Sequence, residues 1–304
     1  MKLKQFSWSK IMGVSAFFAL FNSGISNAFL FKVLGVSGNV KLQVKGQVSN
    51  LRPGTKLETG QVLIIENGYC GLMHANGKIL EIKTPGSFPA ANLAKSITGN
   101  SKTKVSDKYL EYVLGQLSKA EEKDMETNIR KYMDVPGSVQ RGSSKPNTGN
   151  AASIYVDLFS SNQIMQTPYF ISWTPITGSK GYEVSLLDRF DETVMLRKSD
   201  SAFIEVDFSK LPTQADESYK LVVTSPATGS KSVKEYIMNV VAHADLGLQT
   251  DDSAATNMVN GMICEEKHFF LDAIKYYEKA SRQEPSVESY SEALSKLKSK
   301  LVKK

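Results

Sequence analysis

The sequence predicts a multi-domain, mainly β chain with α: a small N-terminal β-barrel or sandwich domain plus a helix, a second β-sandwich, and a C-terminal helical hairpin. Three observations lead there. Apolar and polar residues alternate with a period of two in two separate stretches, each punctuated by turn pairs. A stretch rich in Pro, Gly, Ser and Asn parts them. Beyond residue 253 the apolar residues recur at helical spacing instead. At 304 residues the chain suits two or three compact units, and 41% hydrophobic with 22% charged residues is the composition of folded material.

Residues 1–28 read as a signal peptide. Lys2, Lys4 and Lys10 form a basic opening, and Ile11 to Phe21 is an uncharged, mostly apolar run. Asn22, Ser23 and Gly24 break it, and Ser26-Asn27-Ala28 places small residues where a processing enzyme cuts, after Ala28. The run is about half of the roughly 20 residues that span a bilayer; an uncleaved N-terminal anchor is the alternative. No later stretch is apolar enough to cross. The mature chain is therefore expected to be periplasmic, cell-surface or secreted, with no transmembrane segment. Removing the leader lysines from the net charge of +6 leaves 34 basic against 31 acidic residues, which gives no clustered basic track for nucleic acid.

Residues 29–100 form the first β-domain. Val40, Leu42 and Val44 alternate with Lys41, Gln43 and Lys45, and further strands fall at Gln61–Glu66, Tyr69–His74 and Lys78–Lys83. Pro53-Gly54, Asn67-Gly68, Asn76-Gly77 and Pro85-Gly86 supply the turns, with Asn76-Gly77 the strongest hairpin signal. Gly35, Gly38, Gly54 and Gly60 are also spaced for turns. The string Gly35-x-x-Gly38-x-Val40, Leu51-x-x-Gly54-x-x-Leu57-x-x-Gly60, Gly71-Leu72-x-x-x-Asn76-Gly77 and Gly86 resembles the FecR-like β-domain of bacterial envelope proteins. The resemblance covers about 55 residues and implies that fold in an envelope setting. Family members that regulate sigma factors place a cytoplasmic segment and a membrane span ahead of the domain, which is not the pattern of residues 1–28.

Residues 101–133 are expected to hold a helix, with Ser106 as N-cap and Asp107 in the first turn. Tyr109, Val113, Leu114 and Leu117 recur at helical spacing, either to lie against the β-domain or to meet a partner. Residues 134–153 read as a flexible linker between two halves that could move relative to each other.

Residues 154–242 return to β. Phe170, Ser172, Trp173, Tyr182, Val184 and Leu186 fit core-facing strands, and Tyr219, Leu221 and Val223 alternate again before a last strand at Val233–Val241. The segment Phe170-x-Ser172-Trp173-x-Pro175-x-x-Gly178-x-x-Gly181-Tyr182-x-Val184 resembles bacterial fibronectin type III domains. That resemblance, over about 80 residues, implies an immunoglobulin/fibronectin-like sandwich with Trp173 as the buried indole, but no fixed function.

Residues 243–304 are expected to be helical. Phe270-x-Asp272-Ala273-Ile274-x-Tyr276-Tyr277-Glu278-Lys279-Ala280 followed by Pro285 resembles a single tetratricopeptide repeat, with Gly261, Ala273, Tyr277, Ala280 and Pro285 at its small, aromatic and helix-ending positions. Ser286 to about Lys300 would then cap it.

No catalytic constellation emerges. His74, His243 and His268 fall in different elements, and there is no His-x-x-x-His, Cys-x-x-Cys or Gly-x-Ser-x-Gly. Cys70 and His74 share a strand face, yet a zinc site needs three or four ligands, so no metal or cofactor is expected. Cys70 and Cys264 are read as two buried free thiols. The lysine run Lys296, Lys298, Lys300, Lys303 and Lys304 suits a helix end and a soluble tail. The functional expectation is a non-catalytic envelope module that binds or scaffolds a protein partner, with glycan contact left open. The alternative is a sensor or regulatory subunit using the FecR-like domain. Its structural and interaction candidates are Trp173, Tyr182, Tyr219, Ala273, Tyr277, Ala280 and Pro285.

Overall fold

The computed structural model describes residues 29–97, 105, 107–117, 152–211, 217–241 and 245–302. The leader, Ser106, residues 118–133 of the expected helix, all but the last two linker residues, His243, Lys303 and Lys304 lie outside them. The chain is mainly β with several sheets and a C-terminal helical region.

The first region runs β1 (Phe31–Val44), β2 (Gln47–Asn50), β3 (Lys56–Leu57), β4 (Val62–His74), β5 (Ile79–Ile82), β6 (Gly86–Pro89) and α1 (Ala90–Ser96). The strands form one antiparallel sheet ordered β2-β1-β4-β5, with β3 on β1 and β6 on β4. Asn76-Gly77 does join β4 to β5, with Gly77 at φ 88°. A second tight hairpin, β1 to β2, turns on Lys45 and Gly46 at φ 49° and 86°, the left-handed pair a type I′ turn requires. Register shifts at Val33/Gly35 and Asn39/Val40 bend the long β1–β4 pair.

This sheet has two buried faces. Phe31, Val33, Leu63, Cys70, Leu72 and their neighbours pack under α1, while Leu34, Tyr69 and Met73 face the opposite way into the helices. Gly35 was expected in a turn, but it lies within β1, where a Cβ would fall 2.6 Å from Val287 and 2.7 Å from Tyr290. Its missing side chain is the room into which the helical region fits. The helix α2 (Asp107–Leu117) sets Leu110, Val113 and Leu114 into the same helical core, and its Glu111 carboxylate meets Lys56 at 2.9 Å and Lys32 at 3.6 Å. Those two cations, Lys56 foremost, hold the Glu111 carboxyl below its usual range.

The second β-region runs β7 (Ser161–Ile164), β8 (Pro168–Ser172), β9 (Tyr182–Leu187), β10 (Thr193–Ser199), β11 (Phe203–Asp207), β12 (Glu217–Ser225), β13 (Ser230–Lys231) and β14 (Tyr236–Val240). One sheet is ordered β10-β9-β12-β14-β7, with β7 parallel to β14, and a second is β11-β8. Their inner residues, including Tyr169, Ile171, Val184, Val206 and Leu221, share one core.

Three helices follow, α3 (Ala254–Glu266), α4 (Phe270–Gln283) and α5 (Glu288–Val302), the last where a capping helix was expected after the hairpin. Ser253 caps α3, its hydroxyl accepting from the Thr256 amide at 3.2 Å. Gly261 lets α3 and α4 close together: a Cβ there would lie 2.4 Å from the Tyr277 ring. This helical region packs on both β-regions. Tyr290 meets Tyr69 on the first sheet, and Asp272 meets Tyr169 on β8. These contacts join the two halves on either side of the linker, because the helical region returns to both.

Candidate binding face

The residues singled out from sequence are mostly core. Trp173 is buried edge-on against Tyr182 with ring centroids 5.2 Å apart, and the Tyr182 hydroxyl accepts from the Ile176 amide at 2.8 Å. Tyr219 is buried and donates to Glu217 at 2.9 Å. Ala273, Tyr277 and Ala280 line the inner side of α4, and Tyr277 donates to Glu265 at 2.9 Å. Pro285 sits exposed in the turn after α4. All of them but Pro285 are buried side chains that hold the fold.

His74 and the two cysteines are likewise structural. His74 stacks edge-on with Phe31 at 5.1 Å and accepts from the Asn76 amide at 3.2 Å. Cys70 and Cys264 are buried in different cores, and burial pushes the Cys70 thiol up to about 12, away from the reactive thiolate. Among the described residues no group of three or more His, Cys, Asp or Glu is placed to hold a metal ion. Among them too, no helix is long and apolar enough to cross a membrane. Of the C-terminal lysines, Lys298 pairs with Glu278 at 2.7 Å and Lys300 with Glu265 at 2.8 Å.

The surface that stands out is the outer face of β8 and β11. Strict alternation sends Tyr169 and Ile171 inward, so Phe170 points out and is 72% exposed, although its pattern predicted a core residue. On β11, Ile204 and Val206 face the core and Phe203 faces out, 53% exposed. Phe203 lies opposite Ser172 and Glu205 lies opposite Phe170, so the two rings are diagonal neighbours, roughly 7 Å apart at Cβ.

Residues 154–157 meet the end of β8 through an isolated bridge and continue this face. Val156 bridges Trp173 antiparallel, the Thr174 amide donates to the Tyr155 carbonyl at 2.8 Å, and the Asp157 amide donates to the Ser172 carbonyl at 2.9 Å. Val156 points inward; Tyr155, 51% exposed, and Asp157 point out. The Ser172 hydroxyl donates to the Asp157 carboxylate at 2.6 Å. Tyr155, Asp157 and Thr174 also line a groove of about 440 Å³ that runs to Lys234, Tyr236 and Leu301. The outcome is a face of exposed rings and acceptor groups on two strands and the bridged segment beside them. On each strand the exposed ring, Phe170 or Phe203, stands out of phase with the buried residues beside it.

No family model matches the chain, and no curated protein matches it. Among solved structures the chain is similar to the fibronectin(III)-like modules of Clostridium thermocellum CbhA, at 9% identity over 69% of this chain and 80% of that one, with a TM-score of 0.21. It is also similar to a β-glucuronidase of Faecalibacterium prausnitzii, at 11% identity over 69% of this chain and 34% of that one, with a TM-score of 0.20. Likenesses this slight carry no inference about fold or ligand.

Proposed function

We propose that the chain is an exported, non-catalytic binding or scaffolding protein of the bacterial envelope, working through the outer face of its second β-region. The observation that carries this reading is the exposure of Tyr155, Phe170 and Phe203 on one sheet face. Large rings left in water on a rigid sheet are what a recognition surface needs, because they bring much apolar area at little loss of side-chain freedom. On this reading the first β-region is a FecR-like domain, the second a fibronectin type III-like sandwich, and the helices a tetratricopeptide-like unit that fixes one to the other. The two-sheet strand order around buried Trp173 supports the second of these assignments. The close approach of α3 and α4 at Gly261 supports the third. Export rests on the character of residues 1–28.

Site-specific photocrosslinking in intact cells tests the proposal. A photoreactive residue in place of Phe203 should capture a discrete partner reproducibly, whereas one in place of Val48, exposed on β2, should not. Equal yields from both positions, or none from either, would sink the reading.

A further inference from the structure

We propose that the face formed by residues 154–157, β8 and β11 docks a cationic peptide segment, its Arg or Lys side chains lying over the exposed rings and pairing with Asp157 and Glu205. The proposal rests on the binding-module reading and names the chemistry of its occupant.

Charge carries the argument. The chain has 37 Lys and Arg residues against 31 Asp and Glu, yet residues 154–157, β8 and β11 contain no basic residue. The cations at the margin are already engaged. Lys210 pairs with Asp207 at 3.0 Å, and Lys275 donates to Thr167 at 2.9 Å and lies over the Tyr169 ring. Lys234 donates to Ser160 at 3.2 Å and lies over Tyr236. What faces outward in the middle is acidic. The Glu205 carboxylate makes no hydrogen bond or ion pair among the described residues, and the Asp157 carboxylate accepts one bond, from Ser172, that leaves further lone pairs open.

The geometry matches that charge. Glu205 stands directly across from Phe170, and Asp157 is joined through Ser172 to the row of Phe203. A cation over an aromatic face with a carboxylate beside it is held by ring quadrupole and ion pair together. A neutral apolar partner would bury both carboxylates without a counter-charge, which opposes binding. A protein interface of the ordinary kind has few charges at its centre, and here they alternate with the rings. An uncharged glycan is the competitor, since its hydroxyls can donate to carboxylates and its C–H faces can lie on rings. It does not use the local absence of basic residues.

The test uses the mature chain from residue 29 and a fluorescein-labelled peptide alternating arginine with alanine, followed by fluorescence anisotropy at low and at physiological salt. The expected result is saturable binding that weakens with salt. Phe203→Ala and Glu205→Gln should each weaken it about five- to tenfold, by the size of a desolvated cation–π contact or a charge-assisted pair. Val48→Ala should leave it unchanged. Variants that bind like the parent would overturn the proposal, since the peptide would then be held by acidic groups elsewhere. So would no peptide binding at all. Binding of a cello-oligosaccharide that is lost in Phe203→Ala but kept in Glu205→Gln would replace the cationic occupant with a neutral one. A failed titration alongside a specific Phe203 photoadduct removes only the cationic occupant, whereas absence of that adduct removes the binding-module reading itself.

Discussion

The helical region touches two β-regions by opposite means. Against the first sheet it uses shape: Gly35 and Gly71 leave hollows that receive Val287, Tyr290 and Ala255. Around them lies a chain of polar contacts, in which Tyr290 and Tyr69 share a hydrogen bond at 2.9 Å and Tyr69 donates to Glu81 at 2.7 Å. Glu81 in turn accepts from the Ala255 amide at 2.8 Å, placing a carboxylate on the first turn of α3, where the helix dipole favours it. Against the second region the contact is a buried carboxylate. Asp272, in the first turn of α4, accepts from the Tyr169 hydroxyl at 2.7 Å and from the Met165 amide at 3.4 Å, while Leu271 reaches into that core. The first interface is set by volume, whereas the second centres on a buried polar clasp, so they should fail in different ways.

The largest effect is expected where volume decides. In Gly71→Val the new side chain must displace the Tyr290 hydroxyl, which lies 2.6 Å from a Cβ at that position. Overpacking of this kind costs roughly 1–3 kcal/mol, and here it also breaks the Tyr69–Tyr290 bond. Urea denaturation should show a lowered midpoint. Hydrogen exchange should rise in α5 and α3 together while the second β-region keeps its protection. An unchanged midpoint would mean that the helices rest on the sheet far less closely.

Tyr169→Phe should come next and act on the other side. It removes the donor that satisfies a fully buried carboxylate, and losing a hydrogen bond to a charged group costs about 1.5–3 kcal/mol. Exchange should now rise in α4 near its N-terminus and around β7 and β8, with α5 unaffected. If both substitutions loosened all three helices equally, the two interfaces would be one cooperative unit.

Much of this architecture was legible in the sequence, but not these contacts. Alternation located the strands around Val40–Val44, Tyr182–Leu186 and Tyr219–Val223, and Ala273, Tyr277 and Ala280 marked the inner side of a helix, because each pattern is set by neighbours along the same element. The Lys45-Gly46 hairpin carried no Asn-Gly or Asp-Gly signature. Gly35 looks like any turn glycine, and Gly71 like any residue of a strand, until a helix from the far end of the chain is laid over them. Tyr169 and Asp272 are separated by 103 positions, and nothing local announces that they meet. Phe170 was misplaced for a related reason. Tyr169, Phe170 and Ile171 are all apolar, so either phase of the strand satisfies the alternation, and only its pairing with β11 decides which ring is left in water.

Asp272→Asn should produce a smaller effect that depends on pH. Burial raises the Asp272 carboxyl above its ordinary range despite the bond from Tyr169 and the nearby Lys275 charge. A raised folded-state value means that folding favours the protonated form. The stability tied to this group is therefore fully present below the ordinary carboxylate value, near pH 4, and is lost as pH rises through the higher folded value. Asparagine has the same shape, can still accept from Tyr169 and does not titrate. The parent should lose stability relative to Asp272→Asn as pH rises from 4 to 7, as read by urea midpoints at each pH. A constant difference across that range would mean that the clasp keeps Asp272 ionised throughout.

The smallest effect belongs to the rim of the first interface. Lys83 pairs with Glu284 and lies 3.5 Å from Glu81, with its ammonium 5.5 Å from the centre of the Tyr69 ring. The Glu284 hydrogen bond, followed by the two carboxylate charges, raises its pKa, so this stability is present at neutral pH and fades only as pH climbs above the ordinary lysine value. Yet the side chain is more than half exposed, and water and salt screen pairs of that kind to about 0.2–1 kcal/mol. Lys83→Met should therefore shift the urea midpoint slightly at low salt and by less in 1 M salt, where the Debye length falls to about 3 Å. The methionine keeps the stem that covers Tyr69, which isolates the charge from the packing. A loss as large as that of Gly71→Val would make electrostatics, and not the fit of glycine hollows, the main hold between the helices and the first sheet.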